Sequence, residues 1–193
     1  LRAIRIPQKG RGRALKIAWS TSKARVRAYM DVDLSTDIRQ IPELVGPILD
    51  GRADVCFGSR LLPASRVERC AKREFISRSY NRMLQSYLGV HFHDAQCGFK
   101  AISAEAADTL LPLIQDNEWF FDTELLVLAE RMGIASCEFA VRWKEDPGTT
   151  VHIVDTVRKD LAGMKRLKTS DGQAGSSQPD TYRYPLKQAA DAR

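Results

Sequence analysis

A chain of 193 residues, 44% of them hydrophobic, is sized for one globular domain with a real core. Its formal charge of +6 is uneven: residues 1–30 hold nine Lys/Arg and no Asp or Glu, which suits phosphate, nucleic acid or a membrane surface, or else a solvated face. No run is apolar enough to span a bilayer and no secretory signal is visible, while Cys56, Cys70, Cys97 and Cys137 match neither a zinc pattern nor a disulfide framework. The thiols therefore read as reduced and mostly buried, in a cytoplasmic setting. The chain opens at Leu1 in charged, strand-like sequence and reads as a piece of a domain that begins upstream.

In chain order, residues 11–19 (RGRALKIAW) predict a helix after a glycine-containing turn, and 26–30 (VRAYM) a strand ending at Asp31. Ser35, Thr36 and Asp37 offer caps for a helix with Ile38, Ile41, Leu44, Val45, Ile48 and Leu49 on one face, ended by Asp50-Gly51. A strand over 53–57 and a basic loop lead to a helix over 72–88, whose expected buried stripe is Phe75, Ile76, Tyr80, Met83, Leu84 and Tyr87. Residues 90–102 look extended, Ser103 caps a helix over 104–114, and another helix over 121–132 stops at Gly133. Alternation over 136–144 places Cys137, Phe139, Val141 and Trp143 on one strand face. The last helix, 150–167, carries Ile153, Val154, Val157, Leu161 and Met164, and a Gly/Ser/Gln-rich tail over 169–193 is expected to be disordered. Alternating strands and helices predict an α/β layered fold with a mostly parallel sheet flanked by helices.

In such sheets, ligands bind beyond the carboxyl ends of strands. Asp31 and Asp33 fall at one of these ends, and a hard divalent cation between them would relieve their repulsion; a polar turn is the plain alternative. Arg60 closes Gly58-Ser59-Arg60 with a planar fork suited to phosphate, unless it is a surface arginine after a turn. Within "HDAQCGFK" (93–100), Asp94 and Gln96 bracket a turn and Gly98 permits an unusual backbone angle. His91 and His93 read as surface or structural histidines. Asp122 and Glu124 in "WFFDTELL" sit at a helix start, where they complement the helix dipole.

Seven segments in order, "KGRGRAL" (9–15), "DVDLS" (31–35), "GSR" (58–60), "AKREF" (71–75), "DAQCGFKA" (94–101), "WFFDTELLVLAE" (119–130) and "VRWKEDPGT" (141–149), together resemble family-2 glycosyltransferases of the dolichyl- or polyprenyl-phosphate hexose synthase type. Each is weak alone; their order over roughly 9–167 is the signal. The resemblance implies a GT-A fold over 1–168, N-terminally incomplete, with the family's first strand and nucleobase-binding loop upstream of this chain. It implies Mg²⁺ or Mn²⁺ at Asp31 and Asp33, with Asp33 the direct ligand and Asp31 on the donor. Lys9, Arg60, Lys72 and Arg73 would contact diphosphate or lipid phosphate. Asp94 and Gln96 would line the donor-sugar and acceptor site, with Asp122 and Glu124 near the acceptor; Asp94, Asp122 and Arg60 are thus the catalytic candidates. Ser35 departs from the pattern, since many relatives carry Gln there.

The implied reaction inverts the anomeric centre while moving a hexose from a nucleotide-sugar (UDP-glucose or GDP-mannose type) to a lipid phosphate. The acceptor phosphate is largely ionised near neutrality, its second pKa being about 6, and so needs no strong base. A sugar-hydroxyl acceptor would need one, and Asp94 or Asp122 would then serve. Arg158, Lys159, Lys165 and Arg166 make the last helix basic and amphipathic, which suits peripheral contact with the cytoplasmic face of a membrane or, alternatively, packing on the sheet with a solvated face. A non-catalytic remnant keeps the same fold. A nucleic-acid module would need a reading motif or an aromatic stacking platform, and the sequence has neither.

Overall fold

The computed structural model describes residues 3–145 and 153–170, with the side chains of 158–169 in the last segment. The elements are α1 (Arg11–Ser20), β1 (Val26–Met30), a 3-10 turn (Ile38–Gln40), α2 (Ile41–Leu49), β2 (Val55–Ser59), β3 (Arg66–Glu68), α3 (Ala71–Leu88), β4 (Phe99–Ser103), α4 (Ala104–Leu110), α5 (Phe121–Arg131), β5 (Ser136–Ala140), β6 (Arg142–Lys144) and α6 (Ile153–Ser170). The main sheet has the order β1-β4-β2-β5. β4 runs antiparallel to both neighbours and β2 runs parallel to β5, so three strands share a direction and only the inserted β4 opposes them. β3 and β6 form a separate parallel pair.

Strand periodicity divides the core between the two faces. On one face, Cys56, Phe99, Ala101, Cys137, Phe139 and Val141 pack with Leu44 and Ile48 of α2, and Trp143 lies against them, as the alternation over 136–144 predicts. The strand itself breaks at Val141, whose carbonyl accepts from Arg66 N at 3.0 Å as β6 turns to pair with β3. On the other face, Val55, Phe57 and Ile102 meet Trp19, Leu84, Phe121, Leu125 and Met164 from the helices. Burying each large apolar side chain contributes about 1.5–3 kcal/mol. Asp37 accepts from Arg39 N (3.0 Å) and Ser103 Oγ from Ala106 N (3.1 Å), so both expected caps form.

Several sequence-level expectations are corrected. In α3, Leu84 is buried and Tyr80 and Met83 pack on the core as expected, but Ser77, Asn81 and Leu88 also face inward, while Phe75 is 72% exposed and Tyr87 is on the surface. Asn81 faces inward because its Oδ1 accepts from Ala95 N (2.9 Å), and leaving that buried N–H unpaired would cost about 1–3 kcal/mol. Residues 90–98 are not a strand, because their backbone N–H groups go to side chains. His91 N donates to Glu130, His93 N and Asp94 N to Glu138, and Ala95 N to Asn81. Both histidines also pair with those glutamates through Nδ1, which makes them structural. Helix α4 ends at Leu110: Leu111 keeps helical geometry as the C-cap, and Pro112 has no N–H to carry the ladder further.

In α6, Met164 and Leu167 are buried and Gly163 lies on the Phe120 ring, but Leu161 faces outward. Lys159 and Arg166 are tied inward to Glu118 (2.6 Å) and Glu124 (2.8 Å). Met164 and Leu167 thus pack into the domain, and the outward basic residues of α6 include Arg158 and Lys165. Side chains of Ile153, Val154 and Val157 lie outside the described residues, as do 171–193 of the expected tail; Thr169 and Ser170 belong to α6. Cys56, Cys97 and Cys137 are buried free thiols and Cys70 is exposed. No helix among the described residues is long and apolar enough to cross a membrane.

Candidate active site

The carboxyl ends of β1 and β2 meet the loop before β4 and the start of α5, and most of the singled-out residues converge there. β1 ends at Met30, so Asp31 and Asp33 lie in a tight turn, closed by Leu34 N on Asp31 O (3.1 Å), with Leu34 at φ 54°. Asp33 is exposed and its Oδ1 accepts from Ser35 N (3.0 Å). Asp31 turns inward. Its N–H donates to Gly98 O (2.9 Å), and its carboxylate lies where a Cβ on residue 98 would stand. Gly98 is therefore required for space; its φ is not in the left-handed region, contrary to the backbone reading of this glycine. Gly98→Ala should cost about 1–3 kcal/mol as an overpacked contact, read as a lowered thermal midpoint.

Behind Asp31 lies a buried charged group. Arg11 Nη2 is 2.9 Å from Asp31 Oδ1 and 3.5 Å from Asp122 Oδ2, and donates to Tyr29 Oη at 3.0 Å. Tyr29 donates in turn to Asp122. Lys100, fully buried on β4, reaches Asp122 Oδ1 (3.2 Å) and donates to the carbonyls of Ala95 and Cys97. The Asp31 pKa is raised: burial and the Asp122 charge outweigh Arg11 and Lys100. Within "KGRGRAL", Lys9 is exposed and Arg11 is the residue that reaches Asp31. The signal was available in the two glycines. A Cβ at Gly12 would meet Phe121 Cβ at 2.6 Å, and one at Gly10 would strike Asn117 O, so α1 must sit tight on α5 with Arg11 facing in.

Arg60 is committed to Asp94. Nε donates to Oδ2 at 2.7 Å, Nη2 to Oδ1 at 2.9 Å, and the backbone N to Oδ2 at 3.0 Å; Gln96 N adds a bond to Oδ1 at 3.2 Å. Burial would raise the Asp94 pKa, yet the Arg60 charge and fork hold it at about 2. The Asp94 carboxylate is thus fully buried, ionised and held by four donors. Gln96 Nε2 points instead to Asp160 of α6 (3.3 Å), whose pKa burial pushes up to about 6. Glu124 accepts from Asp116 N and Arg166, a structural role.

The Trp143 ring lies under two guanidiniums, Arg60 at 5.6 Å and Arg69 at 5.4 Å. Arg69, which sequence reading left within a basic loop, is largely buried, and its Nε has no hydrogen-bond acceptor. Burial and the Arg60 charge lower its pKa. Arg73 of α3 pairs with Glu145, which also accepts from Cys70 N at 3.1 Å, while Lys72 is exposed. Arg60, Arg69 and Arg73 thus gather near the start of α3 as an anion-attracting corner, where the Glu145 carboxylate already accepts from Arg73 and Cys70 N.

Among the described residues no cluster of three or more His, Cys, Asp or Glu could cage a metal. What the turn offers is Asp31, Asp33 and the buried, unpartnered Ser35 Oγ. A hard-oxygen set of this kind fits Mg²⁺ or Mn²⁺, which complete their coordination with phosphate oxygens and water.

A GT-A sheet with paired aspartates at a strand end and an arginine-lined anion corner is the arrangement of nucleotide-diphospho-sugar transferases. The chain belongs to glycosyl transferase family 2, whose model matches residues 1–111. It is 41% identical over 155 residues to Glycosyltransferase AglD of Haloferax volcanii, covering 80% of this chain and 24% of that protein. It is 33% identical to Dolichyl-phosphate beta-glucosyltransferase ALG5C of Trichomonas vaginalis (70% of this chain, 42% of that one) and 28% identical to the Homo sapiens dolichyl-phosphate beta-glucosyltransferase (75% and 47%). The chain thus spans less than half the length of each of these relatives. Among solved structures, the fold matches glucosyl-3-phosphoglycerate synthase from Mycobacterium tuberculosis in complex with UDP, with a TM-score of 0.61 and 22% identity over 85% of this chain and 57% of that one. The same enzyme with Mn²⁺, UDP-glucose and glycerol 3-phosphate matches at TM-score 0.55 and 20% identity, over 89% of this chain and 58% of that one.

Proposed function

We propose that this chain is the metal-assisted catalytic portion of an inverting hexosyltransferase that passes a sugar from a nucleoside diphosphate to a polyprenyl or dolichyl phosphate. The observation that carries the acceptor class is the state of the two base candidates. Asp94 is closed within the Arg60 fork, and Asp122 is buried among Tyr29, Lys100 and Arg11. A hydroxyl acceptor needs a base to take its proton; an ionised phosphate does not. The names of the relatives and the Mn²⁺ and UDP-glucose complexes of the fold neighbour support the same reading.

In this reading Arg60, Arg69 and Arg73 bind and orient phosphate at the start of α3, with the unpaired Arg69 Nε as one donor. Charge grows on the leaving diphosphate, and fixed cations stabilise it without reorganising. A divalent ion held by Asp33 would add Lewis-acid stabilisation of that charge. Peripheral membrane contact would be electrostatic, through outward residues such as Lys72, Arg158 and Lys165.

The test is transfer from radiolabelled UDP-glucose or GDP-mannose, with Mn²⁺, to dolichyl phosphate or to a neutral glycoside. Label should enter the phosphate-bearing lipid alone; label in the glycoside would overturn the acceptor assignment.

A further inference from the structure

Around the paired aspartates, the charges balance in pairs. Lys100 and Asp122 are buried together at 3.2 Å, and Arg11 and Asp31 face each other at 2.9 Å. Asp33, exposed on its turn, is left as the uncompensated carboxylate. Arg11 is not a swinging surface arginine. Its Cζ lies 5.1 Å from the centroids of both the Tyr29 and Trp119 rings, and Nη2 is further held by Tyr29 Oη. Gly98 lies against the Asp31 carboxylate, in space that a Cβ would fill.

We infer that Arg11 is a built-in counter-cation for Asp31, which makes the turn a weak binder of a free divalent ion and a stronger binder of that ion already complexed to a diphosphate. The inference rests on the metal role given above to Asp33. A bare ion approaching Asp31 meets a fixed positive group 2.9 Å from its ligand oxygen, and like charges at that range repel strongly. A metal–diphosphate complex carries net negative charge, and the same guanidinium attracts it. Arg11 therefore acts with opposite sign on the two ligands, and metal and donor load together. A merely structural arginine would weaken both when removed.

The experiment titrates the whole chain with Mn²⁺ alone and with Mn²⁺ plus UDP, following free Mn²⁺ by electron paramagnetic resonance. Arg11→Gln should bind Mn²⁺ alone at least about fivefold more tightly and Mn²⁺–UDP at least about fivefold more weakly, from the charge removed. Independently of that variant's folding, Asp31→Asn should change affinity for Mn²⁺ alone by less than about threefold, whereas Asp33→Asn should lose it, because only Asp33 is uncompensated. Equal losses in Asp31→Asn and Asp33→Asn, or no gain in Arg11→Gln, would overturn the inference and leave the metal site standing. Unchanged Mn²⁺ binding in Asp33→Asn would remove the metal site and the inference together.

Discussion

Asp33→Ala should lower sugar transfer about 10²–10³-fold, equivalent to about 2.7–4 kcal/mol of transition-state stabilisation, mostly in kcat. Asp33 takes no part in the buried charge pairs; its carboxylate accepts one short-range bond, from Ser35 N. Removing it should therefore leave the unfolding midpoint nearly unchanged while taking away the anchor for charge on the leaving diphosphate. Val32, 98% exposed between the two aspartates, supplies the control: Val32→Ala should leave both kcat and stability alone. A steady-state series over Mn²⁺ and donor concentrations separates these effects. A full-rate Asp33→Ala enzyme after metal removal would end the metal role.

Arg60→Met should lower the unfolding free energy by about 3–5 kcal/mol, because it leaves the Asp94 charge buried without its fork. The folded Asp94 pKa of about 2 lies below the ordinary carboxylate value. Its stabilising contribution is therefore present above pH ~4 and is lost as pH falls through the folded pKa; a depression of this size is worth about 2 kcal/mol. In the variant, burial without the Arg60 charge raises that pKa, and protonation relieves the penalty. The gap between the two proteins in denaturant melts should accordingly narrow from pH 7 towards pH 3. A gap that is constant with pH would show that the Arg60–Asp94 charge pair is not its source.

Much of the element order was legible because it rests on local patterns. Helices α1, α2, α5 and α6 and strands β1 and β2 appear within a few residues of where periodicity and caps put them, and Ser103 and Asp37 cap as expected. The failures share one physical cause. Where a buried polar side chain takes backbone N–H groups, apolar periodicity misleads: Asn81 faces inward on α3 while Phe75 faces solvent, and Glu138 with Asn81 converts an apparent strand over 90–98 into a pinned loop. The same cause marks the site. Lys100 occupies a core-facing strand position between Phe99 and Ala101, which only its partners Asp122, Ala95 O and Cys97 O make tolerable.

The sequence by itself determined the layered α/β class, the turn bearing Asp31 and Asp33, and the motif order that marks the family, since these depend on spacing along the chain. Only the tertiary structure decided which charges face one another. It inserted β4 between β1 and β2, set Gly98 against Asp31, closed the Arg60 fork on Asp94, and brought Arg11 to Asp31. Such pairings join residues from 20 to 111 positions apart, as with Arg11–Asp31 and Arg11–Asp122, and the energy of a charge depends on its distance to partners and its burial, neither of which is written in local spacing.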